Sequence, residues 1–201
     1  MDNSDRPIDT IEVDGLCVKC EPALQIAALR YFDAAGPFAA ALLEIIGRPL
    51  PEPLRATSIE GATGEARFIL AWRSPTETLI LSSDRVAFSE LGQRLVGVAD
   101  GCMVDQTGGV WPLRVQGYRA RDLLLRLGSA TSIPRAGEAR GGRLAELHVL
   151  MVCIQPEEFL LFVERVYANH LLEWIGATAA DLSITFEALC GDPQTRRISH
   201  V

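Results

Sequence analysis

The sequence predicts an α+β domain of mostly antiparallel sheets, built from hairpins with helices packed on one face. Three observations lead there. Short apolar runs come in pairs separated by turn residues; such pairs are followed by helical segments at 66–96 and again at 102–127; and a chain of 201 residues that is 48% apolar can bury a full core. Direct hairpins give antiparallel pairing, and helices then gather on one face of the sheets.

Residues 1–15 and 191–201 are polar and aperiodic, so both are expected to fray, leaving residues 16–190 as one domain, divisible into sub-lobes at 16–100 and 101–190. Residues 23–32 (ALQIAALRYF) fit a strand by the alternation of Leu24, Ile26 and Ala28, and fit a helix by their alanines. From Pro37, PFAAALLEII is a helix: proline opens its first turn and Gly47 stops it. Three prolines in RPLPEPLRAT make the next stretch an extended connector.

Ala66–Trp72 and Thr78–Ser82 flank a Ser74–Glu77 turn and read as a hairpin. Ser83 offers a cap to a helix through Val96 that carries Phe88, Leu91 and Leu95 on one face. Cys102–Gln106 and Val110–Gln116 read as a second hairpin around Thr107-Gly108-Gly109, with Pro112 marking an edge strand or a bulge. A helix over Arg119–Leu127 turns Leu123, Leu124 and Leu127 inward and ends at Gly128. Leu144–Ile154 and Phe159–Arg165 form a third pair around Gln155-Pro156-Glu157-Glu158, and a final helix runs from Ala168 through Ile175 or beyond.

The net charge is −7, with Lys19 the single lysine, which argues against a grip on nucleic-acid phosphates. No apolar run is long enough to span a bilayer, and MDNSDRPIDT has neither the basic nor the apolar part of a secretion signal. Five cysteines, an odd number, suit reduced thiols, so the expected address is cytoplasmic.

Candidate chemistry is sparse. Cys17-Val-Lys-Cys20 has the spacing of a redox pair or half a zinc site, but Cys102, Cys153 and Cys190 stand singly and no close histidine pair completes four ligands. Two reduced thiols near a fraying end is the plainer reading. His148, His170 and His200 are scattered without a local carboxylate or nucleophile to work with, and His170 with Glu173 reads as a solvated helix pair. Gly108-Gly109 and Gly141-Gly142 fall at expected turns and fit no phosphate-binding loop. Neither a G-x-S-x-G elbow nor an H-E-x-x-H helix occurs. Arg165 and Tyr167, between a strand and a helix, have the chemistry to clamp a carboxylate or a flavin phosphate, against the simpler reading that they tie the sheet to its loops. Trp111 beside Pro112 is the kind of aromatic that anchors a protein interface.

The order of these pieces carries a resemblance. A strand ending in Val104-Asp105-Gln106-Thr107, then Gly117-Tyr118-Arg119-Ala120-Arg121-Asp122-Leu123-Leu124, then Gly137, then Arg165-Val166-Tyr167-Ala168 before Trp174 is similar to the gamma subunit of heterotetrameric sarcosine oxidase. That subunit resembles the folate-binding domain of the glycine-cleavage T protein. Upstream, ALQIAALRYF, AALLEIIG, RPLPEP and Trp72-Arg73-Ser74-Pro75-Thr76-Glu77-Thr78-Leu79-Ile80-Leu81 resemble the family's first strand, helix, connector and hairpin.

The resemblance implies a complex that oxidatively demethylates sarcosine or a similar N-methyl amine. Its beta subunit would hold FAD, FMN would lie at the alpha–beta boundary, and the alpha subunit would bind NAD and pass the methylene to tetrahydrofolate. A small delta subunit completes it. The gamma-type chain would hold no cofactor, no metal and no catalytic residue, and would pack on the larger chains, with Trp111, Pro112, Arg165 and Tyr167 as partner-facing candidates. Where the family has an arginine in the second hairpin loop, this chain has Gly109-Val110, and its Cys-Pro-x-Asp-Leu stretch is replaced by Gly128-Ser-Ala-Thr-Ser-Ile-Pro134. T proteins place a catalytic acid there; Ser132 stands nearest, and serine cannot serve as a carboxylate base. Two other readings of the same fold are a stand-alone folate-binding demethylase and an iron–sulfur assembly helper; the helper's Lys-Gly-Cys-x-x-Gly-Gln motif does not occur.

Overall fold

A strand that is apolar at every position needs cover on both faces, and the runs around Val149–Cys153 and Phe159–Val163 have it. The computed structural model describes residues 10–60 and 66–190, with side chains to 182. In chain order these form β1 (Thr10–Val13), β2 (Leu16–Cys20), β3 (Gln25–Tyr31), α1 (Pro37–Ile46), β4 (Ala56–Glu60), β5 (Ala66–Ser74), β6 (Glu77–Ser82) and α2 (Arg85–Leu95). There follow β7 (Gly101–Asp105), β8 (Val110–Gln116), α3 (Ala120–Leu127), β9 (Glu138–Leu144), β10 (Leu147–Gln155), β11 (Glu158–Glu164), a 3-10 turn at Arg165–Tyr167 and α4 (Ala168–Cys190).

The strands make two sheets, ordered β1-β2-β8-β11-β10-β9 and β4-β5-β6-β3-β7, and every pair is antiparallel. The fold is the α+β one that the sequence predicts. Alternate residues sort the core into three layers. Val149, Met151, Phe159 and Leu161 face α3 and α4; Ala27, Leu29, Leu70 and Ile80 face α1 and α2; Ile26, Leu79, Leu150, Leu160 and Phe162 fill the space between the sheets. Each sheet therefore wears its helices on one face and packs its other face against its neighbour.

The expected hairpin of Cys102–Gln106 with Val110–Gln116 does not form. β7 pairs with β3 in the five-stranded sheet, while β8 lies between β2 and β11 in the six-stranded one. The cause lies at Asp105–Thr107: Asp105 Oδ1 accepts from the Thr107 N–H at 2.8 Å, and the Thr107 hydroxyl takes the N–H of the distant Ile26 at 3.0 Å, tying the turn to β3 and sending the chain across. Thus the sheets do not divide the chain at residue 100, since β1 and β2 join the strands that follow Gly109.

Other expectations need adjustment. Residues 1–9 lie outside the described residues, but Thr10–Val13 is a paired strand, held under α4. Within the ambiguous 23–32 segment, Gln25–Tyr31 is a strand, interior to its sheet between β6 and β7. The cap of α2 is Asp84, whose carboxylate accepts from Val86 and Ala87 N–H, and not Ser83. Leu144 closes β9, a strand that the sequence reading lacks, and Ala145–Glu146 turn it into β10 with both φ angles positive. Residues 191–201 lie outside the described residues.

Candidate functional site

The apolar layer between the sheets stops short at one end and opens into a cleft. On the six-stranded sheet the inner face runs outward from Leu150 and Phe162 to the next row: Arg143 stands opposite His148, and Glu164 opposite Val110. From the other sheet come Arg73 and Leu79, with Glu77 behind Arg73. The Glu77 carboxylate accepts from Arg73 Nη1 at 2.7 Å and from Arg30 Nε at 3.2 Å, so two guanidiniums share one carboxylate. The result is a cavity of about 600 Å³, walled by Leu79, Leu150 and Phe162 and rimmed by Arg73, Arg143 and Glu164.

The lining of this cleft combines apolar and charged side chains. Among the described residues, no serine, threonine or cysteine lines it beside His148 and Glu164. The glycine pair of β9 shapes it, and the two glycines differ. A Cβ on Gly142 would lie 2.6 Å from Ser132 Cβ on the α3 side, whereas a Cβ on Gly141 would meet nothing within 4 Å. Ser132, the residue nearest the family's acid position, therefore packs behind β9 and away from the cleft.

The partner-facing candidates lie near the same end of the sheet. Arg165 sits 4.4 Å above the Trp111 ring, and its N–H donates to Gly109 O at 2.9 Å. Trp111 is half-buried, with Nε1 buried and lacking a hydrogen-bond partner among the described residues. Pro112 is buried and presents no surface; the correction follows from strand order. β8 is interior to its sheet, but its ladder with β2 begins only at Leu113, so Pro112's missing N–H falls where β2 has ended. Tyr167 is 47% exposed and is followed along α4 by His170 and by Trp174, 52% exposed, whose rings meet edge-on at 6.4 Å. Sequence reasoning placed Tyr167 and Trp174 on the chain without seeing that they share a face.

Cys17 and Cys20 do not come together as a pair. On β2, Cys20 is buried with Leu16 and Val18, while Cys17, three residues away, lies on the opposite face. Cys153 is buried, and burial pushes its thiol up to about 11. No group of three or more His, Cys, Asp or Glu side chains among the described residues could hold a metal ion. No helix among them is long and apolar enough to cross a membrane.

No protein-family model matches the sequence, and no curated protein matches it. Solved structures do. A chain of the heterotetrameric sarcosine oxidase from Corynebacterium sp. U-96, solved with pyrrole 2-carboxylate, superposes with a TM-score of 0.73 at 17% identity, over 88% of this chain and 90% of that one. The glycine cleavage system aminomethyltransferase T from Bartonella henselae superposes with a TM-score of 0.59 at 13% identity, over 79% of this chain and 44% of that one, so this chain spans less than half its length. At such identities the likeness is one of fold: a T-protein-like fold, shared with a chain of a multisubunit oxidase.

Proposed function

We propose that this chain is a non-catalytic, gamma-type subunit of a heterotetrameric, sarcosine oxidase-like flavoenzyme of the cytoplasm, which oxidatively demethylates sarcosine or a similar N-methyl amine. The observation that carries the reading is the mutual coverage of the sarcosine oxidase match: 88% of one chain on 90% of the other requires chains of similar length. FAD, FMN, NAD and tetrahydrofolate belong, on this reading, to alpha and beta partners, and a small delta chain completes the assembly.

The motifs behind the resemblance support a scaffold role, because each acts as a joint. Asp105 and Thr107 turn the chain between sheets. Tyr118 lies over Gly15 and donates to Asp14 at 3.1 Å, fixing the β1–β2 turn. Arg165 clasps Trp111. The exposed Val166, Tyr167 and Trp174 offer an apolar anchor of the sort that partner subunits bury.

The test is capture of the tagged full chain from its own cells, followed by native mass and an assay of sarcosine oxidation. One copy of the chain in a flavin-containing complex with larger subunits is expected. A free monomer without flavin, or micromolar folate binding by the isolated chain, would sink the subunit reading, the latter in favour of the stand-alone demethylase.

A further inference from the structure

The cleft at the open end of the inter-sheet layer has no part in the subunit role just proposed, and its construction is that of a ligand site. We propose that it binds a small organic acid with an apolar body, the carboxylate held between Arg73 and Arg143 and the body lying over Gly141 against Leu79, Leu150 and Phe162. The volume, about 600 Å³, is in the range of pockets that enclose such molecules.

Three observations carry this. First, the rim departs from the chain as a whole. The chain carries a formal charge of −7, yet the cleft is lined by two arginines, Arg73 and Arg143, against one carboxylate, Glu164. Arg73 engages Glu77 through Nη1 alone, and Arg143 gives Nε and Nη2 to the Glu146 carbonyl, with Nη2 also 3.2 Å from the Glu146 carboxylate, leaving its Nη1 available. Guanidiniums in that state hold carboxylates well.

Second, Gly141 has no structural reason to be glycine. Its φ is not positive, it pairs in register with Leu150, and a Cβ there would stand in open space. Glycine inside a strand weakens it. The missing side chain at 141 is what leaves the floor of the cleft clear, in contrast to Gly142, where packing leaves no room.

Third, the polarity is graded across the sheet. Arg143 on β9 and His148 on β10 stand at one side and Glu164 on β11 at the other. Since β5 lies beside β9, Arg73 joins Arg143, so the anion-holding groups cluster and Glu164 is kept at the far end. There it repels a second acidic group and accepts from a hydroxyl or amide N–H on the ligand.

The probe is 2-naphthoate, with 2-naphthamide as its uncharged match, titrated by calorimetry or NMR into the purified full chain. Naphthoate is expected to bind and naphthamide to bind at least about ten-fold more weakly. Arg143→Gln and Arg73→Gln, both at the exposed rim, should each weaken naphthoate about ten-fold and leave naphthamide unchanged. Gly141→Leu, which fills the cleft without altering charge, should abolish both while the thermal unfolding midpoint holds or rises. No binding of naphthoate at millimolar concentration, equal binding of the amide, or undiminished binding to Gly141→Leu would each overturn the proposal. None of these readouts depends on assembly, so the subunit reading stands or falls separately.

Discussion

The guanidinium of Arg165 lies 4.4 Å from the centroid of the Trp111 ring, tying the turn that follows β11 to the start of β8. The backbone closes the same joint, through the Arg165 N–H on Gly109 O. A cation over an indole at a surface site contributes about 0.5–1 kcal/mol. Arg165→Ala should therefore lower the unfolding free energy by about that amount in urea, with Arg165→Lys retaining part of it. An alanine variant as stable as the parent would mean that the stack is solvent-screened and inert.

A sharper stability effect is expected at Gly117. Its φ is +114°, and a Cβ there would lie 2.3 Å from Gly15 O, a backbone atom that cannot step aside. Strain of that kind costs at least about 1–3 kcal/mol, so Gly117→Ala should shift the urea midpoint markedly. Gly141→Ala is the contrast: ordinary φ, open surroundings, and an expected gain of about 0.5 kcal/mol. Equal effects at the two glycines would contradict the packing described for both.

The difference between these glycines shows what the sequence discloses. Local signals were readable: Pro37 and Gly47 bracket α1, the Ser74–Glu77 turn joins β5 to β6, and apolar spacing marks the buried faces of α2, α3 and α4. Signals that depend on a distant partner were not. Thr107-Gly108-Gly109 looks like a hairpin turn because a turn is local, whereas the Thr107 bond that sends the chain to the other sheet reaches back to Ile26. β9 reads as a glycine-rich turn, since Gly141 and Gly142 hide its strand period and β10 alone supplies its pairing. The cleft was illegible for the same reason: Arg73, Arg143, His148 and Glu164 are ordinary residues until two sheets bring them to one rim.

For the cysteines, strand geometry decides. Successive side chains on β2 alternate, so Cys17 and Cys20 point to opposite faces and cannot bridge. A non-reducing peptide map should show no Cys17–Cys20 disulfide, and the double variant Cys17→Ser, Cys20→Ser should leave the activity of the assembled complex unchanged. With a thiol reagent at pH 8, the exposed Cys102 should label quickly and Cys153 only on unfolding.

Cys153 also predicts a pH dependence. Burial raises its thiol from 9.0 to about 11, so the folded state favours the protonated form. The resulting stabilisation is complete below about pH 9, where the thiol is protonated in both states, and is lost as pH climbs toward 11 and the unfolded chain ionises first. Urea midpoints measured from pH 8 to 11 should fall more steeply for the parent than for Cys153→Ala. Parallel slopes would show that the thiol titrates freely in the fold.

The exposed stripe of Tyr167, His170 and Trp174 should matter to assembly and little to the chain itself. The buried side of α4, from Ala168 through Leu171, Leu172 and Ile175, holds the helix to its sheet, and the stripe lies away from it. Tyr167→Ala combined with Trp174→Ala is therefore expected to leave the unfolding free energy of the free chain within about 0.5 kcal/mol of the parent. In a captured complex, the same pair should weaken retention of the chain ten-fold or more, as loss of two aromatic anchors does at an interface. Asn169→Ala, exposed on the same helix and carrying no apolar surface of size, serves as the control. If the aromatic pair and the control are retained equally, the partner contacts lie elsewhere, and Phe32, 87% exposed at the end of β3, is the next face to vary.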